Sequence, residues 1–281
     1  MTLSRLPAWL DGPDVEPDAF AYHYTTTFGA AIMLENWQLR MGRYEDMNDP
    51  REAKEWVADS LALPAGGVGL ASLAAQHEVD DEVDRVLHRA ARLACFTRDG
   101  SDPGDGTLFH RGWARSALWD RYAEKHKGAC FVFDLAAVAE AVNEAVPLRD
   151  GNIFAVGNVE YRDEPLSIPL DGAYGSREEV REALSDRAVS GKAIGDLYLV
   201  KNTDWASERE WRIVSLLWDV EDALISQPLY VPFRDSLVAV VLGEGHPSPR
   251  LLQDAVVGRR SGPPQFARCT WRAGAPRLEG V

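Results

Sequence analysis

Two glutamates and an arginine alternate in the segment Glu208-Arg209-Glu210-Trp211-Arg212, which an apolar run follows. Apolar and β-branched residues make this segment a predicted strand. Because alternate residues of a strand share a face, Glu208, Glu210 and Arg212 are expected to project together while Trp211 enters the core. Neighbouring carboxylates repel each other unless a partner uses or neutralises them, as Arg212 could do. The alternative is a surface ladder of charges without a function.

Two further groups of polar and aromatic residues could have either a structural or a functional role. Asn48-Asp49-Pro50 is typical of a turn and a helix start, with Asp49 as N-cap and Pro50 at the first helical position. The same triplet follows a predicted strand directly, so it could also border a cleft. Trp119 and Tyr122 lie three residues apart on one face of a predicted helix, where core packing is the default explanation.

Composition limits the classes of function. The 281-residue chain has a net charge of −14, which argues against a broad nucleic-acid surface but allows a small basic cleft. No uninterrupted apolar stretch approaches a membrane span, and the first twenty residues lack the pattern of a signal peptide. We therefore expect a cytoplasmic protein without a membrane partner. The spacing of its three cysteines, Cys95, Cys130 and Cys269, predicts no zinc site, and no metal is expected.

The order of predicted elements favours an α+β fold, because strands and helices do not alternate strictly. We expect one domain over residues 1–281, with an N-terminal extension (1–18), a core (20–244) and a C-terminal helix and strand (245–281). Its sheet is predicted to be mixed and mostly antiparallel, with helical insertions. The pattern predicts a strand at about 20–26 and helices at about 50–63, 70–92, 113–127 and 176–199, with Gly128 as the left-handed residue after the third of these helices. The segment 99–112 is predicted to be an acidic, mobile loop over the cleft.

Four segments, in order, resemble the family catalogued as domain of unknown function 2971. They are HYTTTFGAAIMLENWQLRMG, NDPRE, ALWDRYAEKHKGACFVFD and KNTDWASEREWRIV, and they span roughly residues 22 to 244. The chain departs from the family pattern in the acidic loop at 99–112. Because that family has no settled activity, the resemblance implies an architecture more than a chemistry.

The Glu-x-Glu pair is also similar to the acidic signature of ADP-ribosyltransferases. In that superfamily an opening strand carries His or Arg, a middle strand carries Tyr, Ser or Thr, and a late strand carries Glu. His23 lies on the opening strand here, Thr97 ends the third strand and Glu210 lies late. The resemblance implies an ADP-ribosyltransferase-like fold that binds NAD between strands, with Glu210 as the catalytic carboxylate. The strand that begins at Glu208 is then expected beside the strand of His23.

The same resemblance implies roles for the remaining residues. Glu210, His23 and Glu208 form the catalytic group, in which Glu208 would position the acceptor. His23 and Thr25 would bind a ribose through hydrogen bonds, while Tyr44 would stack on the nicotinamide. The predicted binding residues are Thr25, Tyr24, Tyr44, Thr97, Asn48, Asp49, Trp119, Tyr122 and Arg212. The expected partners are NAD or a related nucleotide and a macromolecular acceptor that the sequence does not identify, as for a toxin or an antiphage effector.

Two alternatives belong to other classes. The first is a non-catalytic nucleotide-binding or regulatory protein of the same fold; convergence of His23 and Glu210 on one cleft would distinguish the two. The second is a metal-dependent nuclease, because Asp49, Glu52 and Lys54 are spaced like an Asp, Glu-x-Lys set. That set requires strand geometry, whereas these residues fall on a predicted helix start. Oligomeric state is left open by the sequence.

Overall fold

The computed structural model describes residues 7–12, 19–58, 70–102, 104–146, 153–168, 170, 174, 176–188, 191–217, 225–257 and 263–281. Over these residues the chain combines a large, mostly antiparallel sheet with several helices, so the predicted α+β class is confirmed. None of the helices described there has the length and apolar character to cross a membrane.

Strands within the described ranges are β1 (Phe20–Thr25), β2 (Gln38–Arg43), β3 (Ala91–Thr97), β4 (Ala129–Asp134), β5 (Ile153–Asn158), β6 (Glu160–Tyr161), β7 (Val200–Lys201), β8 (Glu210–Leu216), β9 (Leu229–Pro232), β10 (Leu237–Leu242), β11 (Gln265–Arg272) and β12 (Ala275–Gly280). Helices there are α1 (Ala8–Asp11), α2 (Thr27–Asn36), α3 (Pro50–Ala53), α4 (Leu70–Val83), α5 (Ser116–Tyr122), α6 (Leu135–Ala145), α7 (Arg177–Ala188), α8 (Gly191–Tyr198) and α9 (Pro249–Val256). The last strand, β12, was not predicted.

The strands of the large sheet follow the order β12-β11-β10-β4-β1-β3-β2-β9, and β8 pairs with both β3 and β5. Among the described strands, β10 with β11 and β6 with β7 are the parallel pairs, and the latter two form a small separate sheet. The expected adjacency of β1 and β8 is wrong, because β3 lies between them. β1 has no free edge for β8: β4 pairs along one side over all six residues, and β3 lies on the other.

Side chains alternate between the two faces of the sheet and so build separate cores. Trp211 and Ile213 of β8 enter the core on one face, which α2, α6 and α9 cover, as predicted for Trp211. On the opposite face, one cluster packs around Trp113 and Trp119, and another around Tyr44 beneath α4, α7 and α8. Most residues of the polar site described below lie on this opposite face, between the two clusters, whereas His23 and Phe96 belong by alternation to the first face and contact each other.

Tertiary contacts shorten three of the predicted helices. The helix expected over 50–63 ends at Ala53, because Trp56 turns into the core and its N–H donates to Asp84 at 3.0 Å. Residues 59–63 of that prediction lie outside the described ranges. The helix expected over 70–92 becomes a π-helical turn at 84–89 and ends before β3. A fourth predicted helix, over 176–199, is divided into α7 and α8. The Ser176 hydroxyl accepts a hydrogen bond from the Glu179 N–H at 3.3 Å and so caps α7.

The third shortened helix, α5, ends at Tyr122, and the left-handed residues after it are 124–126 rather than Gly128. Gly128 is required for a different reason. A Cβ atom at this position would lie 2.1 Å from the backbone oxygen of Thr25 and 2.9 Å from the Ala123 Cα atom. The close approach of two backbones, not a positive φ, therefore selects glycine here.

Replacement of Gly128 by alanine is expected to lower the free energy of unfolding by about 1–3 kcal/mol, because the new methyl group must displace backbone atoms. Gly195→Ala is the matched control. A Cβ atom at Gly195, inside α8, meets no atom within 4 Å, so this change is expected to raise stability by roughly 0.5–1 kcal/mol. Urea denaturation of both variants measures the difference, and equal stabilities would contradict the close-approach explanation.

Candidate functional site

A cavity of about 140 Å³ opens on this face of the sheet. An apolar cavity of roughly 150 Å³ is known to hold one benzene molecule, so this pocket has room for one small ring, and the rest of a larger ligand would extend beyond it. Polar and aromatic side chains from β1, β3, α5 and the segments around β7 and β8 line it. Seven predicted site residues are among them: His23, Tyr24, Asn48, Thr97, Tyr122, Glu208 and Glu210.

The pocket lies where β1 and β3 diverge. In the described part of the chain, Tyr22 with Thr97 is the only registered pair between these strands. The ring of His23 fills part of the gap, and its Nδ1 lies 2.9 Å from the Cys95 carbonyl oxygen. Since a carbonyl can only accept, we assign the proton of the neutral ring to Nδ1, which leaves the lone pair on Nε2. Burial lowers the pKa of His23, against the opposing effect of the hydrogen bond to Cys95, so the ring is neutral at pH 7.

One end of the pocket carries the Glu210 carboxylate, which Lys201 and Arg212 bind. Lys201 Nζ donates to Glu210 at 3.1 Å, and Arg212 Nε and Nη2 donate to the same carboxylate at 2.7 and 3.1 Å. Burial acts to raise the pKa of Glu210, but the positive charges of Arg212 and Lys201 outweigh it and lower the pKa to about 2. For Lys201, burial acts to lower the pKa, and the surrounding glutamates raise it above its ordinary value. Both groups are therefore charged at neutral pH.

Glu208 reaches the same place by a route that differs from the prediction. It ends a 3₁₀ helix, Thr203–Glu208, and does not lie on β8; Arg209, with φ of 45°, makes the turn into the strand. Its carboxylate accepts from Lys201 at 2.8 Å, Tyr122 at 3.0 Å and Arg121 at 3.2 Å. Lys201 thus bridges Glu208 and Glu210, and the two carboxylates converge without sharing a strand face.

His23 and Glu210 converge on the pocket although their strands are not neighbours. Cys95 of β3 connects them: its carbonyl accepts from His23, and its thiol forms a hydrogen bond with the Glu210 carboxylate. Burial raises the pKa of the Cys95 thiol, and the charge of Glu210 raises it further. The thiol is therefore a hydrogen-bond donor here and not a nucleophile.

Glu52 is a third carboxyl group on the pocket wall, and it was not predicted as a site residue. It lies in α3, is fully buried and forms an ion pair with Arg212. Its Oε2 atom has no hydrogen-bond partner among the residues described. Burial raises the pKa of Glu52, and the negative charge of Glu210 raises it further. The positive charge of Arg212 acts to lower the pKa but does not outweigh these two effects. Arg212 is thus shared unequally between Glu52 and Glu210.

Five predicted binding residues do not line the pocket: Thr25, Tyr44, Asp49, Trp119 and Arg212. Tyr44 is fully buried, its hydroxyl donates to the Leu197 carbonyl at 3.2 Å, and its ring packs against Trp56 and Tyr198. It is therefore not available to stack on a ligand ring. Thr25 ends β1 away from the pocket wall, where it pairs with Ala129.

The other three act on the surroundings of the pocket. Trp119 is buried beneath Tyr24, and its indole N–H donates to the Trp113 carbonyl at 2.8 Å. The Asp49 carboxylate caps α3 by accepting from the Arg51 N–H at 3.0 Å, as predicted, and it accepts from the Asn202 N–H at 3.1 Å. Arg212 orients Glu210 from behind the wall.

The acidic loop at 99–112 contributes no residue to the pocket lining that the structure describes. Its base is anchored instead: Arg111 is buried and pairs with Asp99 at 3.2 Å, and the Tyr22 hydroxyl donates to the same carboxylate at 2.8 Å. That the loop lies over the cleft therefore stays a prediction. A buried charge pair fixes its ends against β1 and β3.

Lys201 and Glu52 are the pocket residues that sequence reasoning missed. Both occur in segments that carry the family resemblance, Glu52 in NDPRE and Lys201 at the start of KNTDW. One local signal in the sequence could have indicated Lys201: it follows the apolar residues of a short strand, where a lysine is buried only if it has partners.

Asp49 and Lys54 of the suggested nuclease set do not join Glu52: Asp49 binds backbone N–H groups, and Lys54 is exposed. No cluster of three or more His, Cys, Asp or Glu side chains in the described ranges is arranged to hold a metal ion.

One family model matches part of the chain. The family model for "Protein of unknown function (DUF2971)" matches residues 118–213, about a third of the chain. This stretch contains almost all of the last two segments from which the resemblance was predicted, and it includes Tyr122, Lys201, Glu208 and Glu210. No curated protein and no solved structure matches the chain.

Proposed function

We propose that the chain binds NAD or a related nucleotide in this pocket and transfers its ADP-ribosyl group to an acceptor. One observation carries the proposal: Glu210, an ionised carboxylate, and His23, a neutral imidazole, both line the same ring-sized pocket. Cleavage of the bond between nicotinamide and ribose develops positive charge on the ribose. A preorganised, buried carboxylate stabilises such a charge more strongly than water does.

The chemistry assigns a step to each group. The bond between ribose C1′ and the nicotinamide nitrogen breaks, and its electron pair leaves on that nitrogen. A nucleophile of the acceptor, or water, forms the new bond at C1′ and loses a proton to the solvent. Glu210 stabilises the cationic ribose, His23 Nε2 accepts a hydrogen bond from a ribose hydroxyl, and Glu208, nearer Arg121 at the exposed side, positions the acceptor. If the acceptor is a host or phage macromolecule, the role is that of a toxin or an antiphage effector.

A thermal-shift experiment tests binding. NAD at about 100 times its dissociation constant is expected to add roughly 2.7 kcal/mol to the free energy of unfolding, which raises the melting temperature. AMP, which lacks the nicotinamide and its ribose, serves as the control and is expected to stabilise less. Release of free nicotinamide, followed by chromatography, then measures turnover. No shift at millimolar NAD would contradict the proposal.

A second candidate, a binding or regulatory protein without turnover, is favoured by one specific feature. Each oxygen of Glu208 and Glu210 already accepts a hydrogen bond from a cation or a tyrosine of the protein. A carboxylate held in this way would orient a ligand without taking part in bond cleavage. Stabilisation by NAD without release of nicotinamide, in the presence of cell extract as a source of acceptors, would establish this second function.

A further inference from the structure

The ionisable groups around the pocket do not balance in charge. Three carboxyl groups, Glu52, Glu208 and Glu210, line it, and two buried cations, Lys201 and Arg212, face them. Arg121 also pairs with Glu208 at 3.2 Å, but 43% of its side chain is exposed, so it contacts that carboxylate from the solvent side and is not a buried cation. The neutral groups on the wall cannot compensate. Among the buried groups, one negative charge is therefore in excess when all three carboxyl groups are ionised.

Glu52 carries this excess. Arg212 binds Glu210 through Nε and Nη2 and the Tyr198 carbonyl through Nη1 at 2.7 Å, so Glu52 shares the Nη2 group with Glu210 through its Oε1 atom. The Glu52 side chain is fully buried, and its Oε2 atom accepts from no group among the described residues. Glu52 lines the cavity, so a ligand cation in the cavity would supply a countercharge that this buried carboxyl group lacks.

Aromatic side chains form much of the remaining wall. Tyr22, Tyr24, Phe96 and Tyr122 line the same cavity as Glu52. The faces of such rings attract cations, and the attraction strengthens where water is excluded. A pocket with aromatic walls, one uncompensated carboxyl group and room for a single ring matches a planar organic cation.

We propose that Glu52 makes this pocket selective for a positively charged ring over a neutral ring of the same shape. The assignment of that ring rests on the proposed function: it is the cationic pyridinium of oxidised nicotinamide. The neutral dihydropyridine of the reduced nucleotide would bring no charge to balance an ionised Glu52 carboxyl group. Selection for the oxidised form thus comes from a residue outside the Glu-x-Glu segment.

Two single-ring probes test this proposal. The 1-methylnicotinamide cation and neutral nicotinamide differ by a methyl group and a charge, and both are small enough for the pocket. Titration calorimetry with the full chain at pH 7.5 is expected to give about tenfold tighter binding of the cation. Glu52→Gln is expected to bring the two affinities within about twofold. Glu55→Gln, the same change at an exposed residue outside the pocket, is the matched control and should keep the tenfold preference.

Each outcome decides one of the two proposals. Equal affinities for the two rings in the wild-type protein would overturn the role of Glu52, and this arm requires no variant to fold. A preference that persists in folded Glu52→Gln would overturn it as well. Binding of tetramethylammonium but of neither nicotinamide probe, with that binding lost in Glu52→Gln, would support cation selectivity and contradict the NAD proposal. Binding of no cation at all would overturn the selectivity itself.

Discussion

Arg212→Met is expected to lower the free energy of unfolding by about 3–5 kcal/mol, one of the largest effects expected of any substitution in the chain. Arg212 is fully buried and contacts both Glu210 and Glu52. Its removal leaves two buried carboxyl groups facing each other without the cation between them, and breaking a buried pair in this way is strongly destabilising. Since globular domains are stable by only about 5–15 kcal/mol, the loss is a large fraction of the total.

Denaturant unfolding measures this loss against two controls. Arg272→Met is the matched exposed change, since Arg272 pairs with Glu279 while 65% of its side chain is exposed; its cost is expected to stay below about 1 kcal/mol. Replacing Arg212, Glu210 and Glu52 together by apolar residues is expected to recover much of the stability, because no unpaired charge remains. An Arg212→Met variant as stable as Arg272→Met would show that Arg212 does not hold the two carboxyl groups in the folded chain.

Local patterns in the sequence predicted most of the sheet. The uninterrupted apolar run of β4 and the N-cap at its end are examples: Asp134 accepts from the Ala137 N–H at 2.8 Å and starts α6 as expected. The failures have a common cause in contacts between distant residues. The helix at 50–63 ends early because Trp56 stacks on His88, and no periodicity within the segment contains that contact. The order of strands likewise depends on which edges are already paired.

The candidate site was predictable only where its residues are close in the sequence. Alternation along β8 correctly brought Glu210 and Arg212 together, since both belong to one strand. Glu208 reached the cluster through a left-handed turn at Arg209, which alternation does not describe. Glu52 lies more than 150 positions before its partner Arg212, and only the folded chain brings them into contact. The family resemblance marked their segments but assigned them no role.

Glu210→Gln is expected to reduce NAD turnover by about two to three powers of ten, the usual loss for one preorganised electrostatic contact. The substitution keeps the size of the side chain and removes its charge. Because the pKa of Glu210 is lowered to about 2, that charge is fully present at neutral pH in the wild type. Affinity for NAD is expected to change little, since the charge acts mainly on the cationic ribose of the transition state.

The structure adds a second expected effect of Glu210→Gln, and a matched variant separates the two. Glu210 is a buried partner of Arg212 and Lys201, so the variant is also expected to lose roughly 3 kcal/mol of stability. Glu208→Gln makes the same change at the other carboxylate bound by Lys201 and is expected to be destabilised too. It should release nicotinamide within about tenfold of the wild-type rate, because its assigned role is to position the acceptor. Rates measured well below both melting temperatures compare folded proteins. Undiminished nicotinamide release by folded Glu210→Gln would rule out this residue as the catalytic carboxylate, and equal losses in both variants would indicate that damage to the shared charge network, not the chemistry of Glu210, lowers the rate.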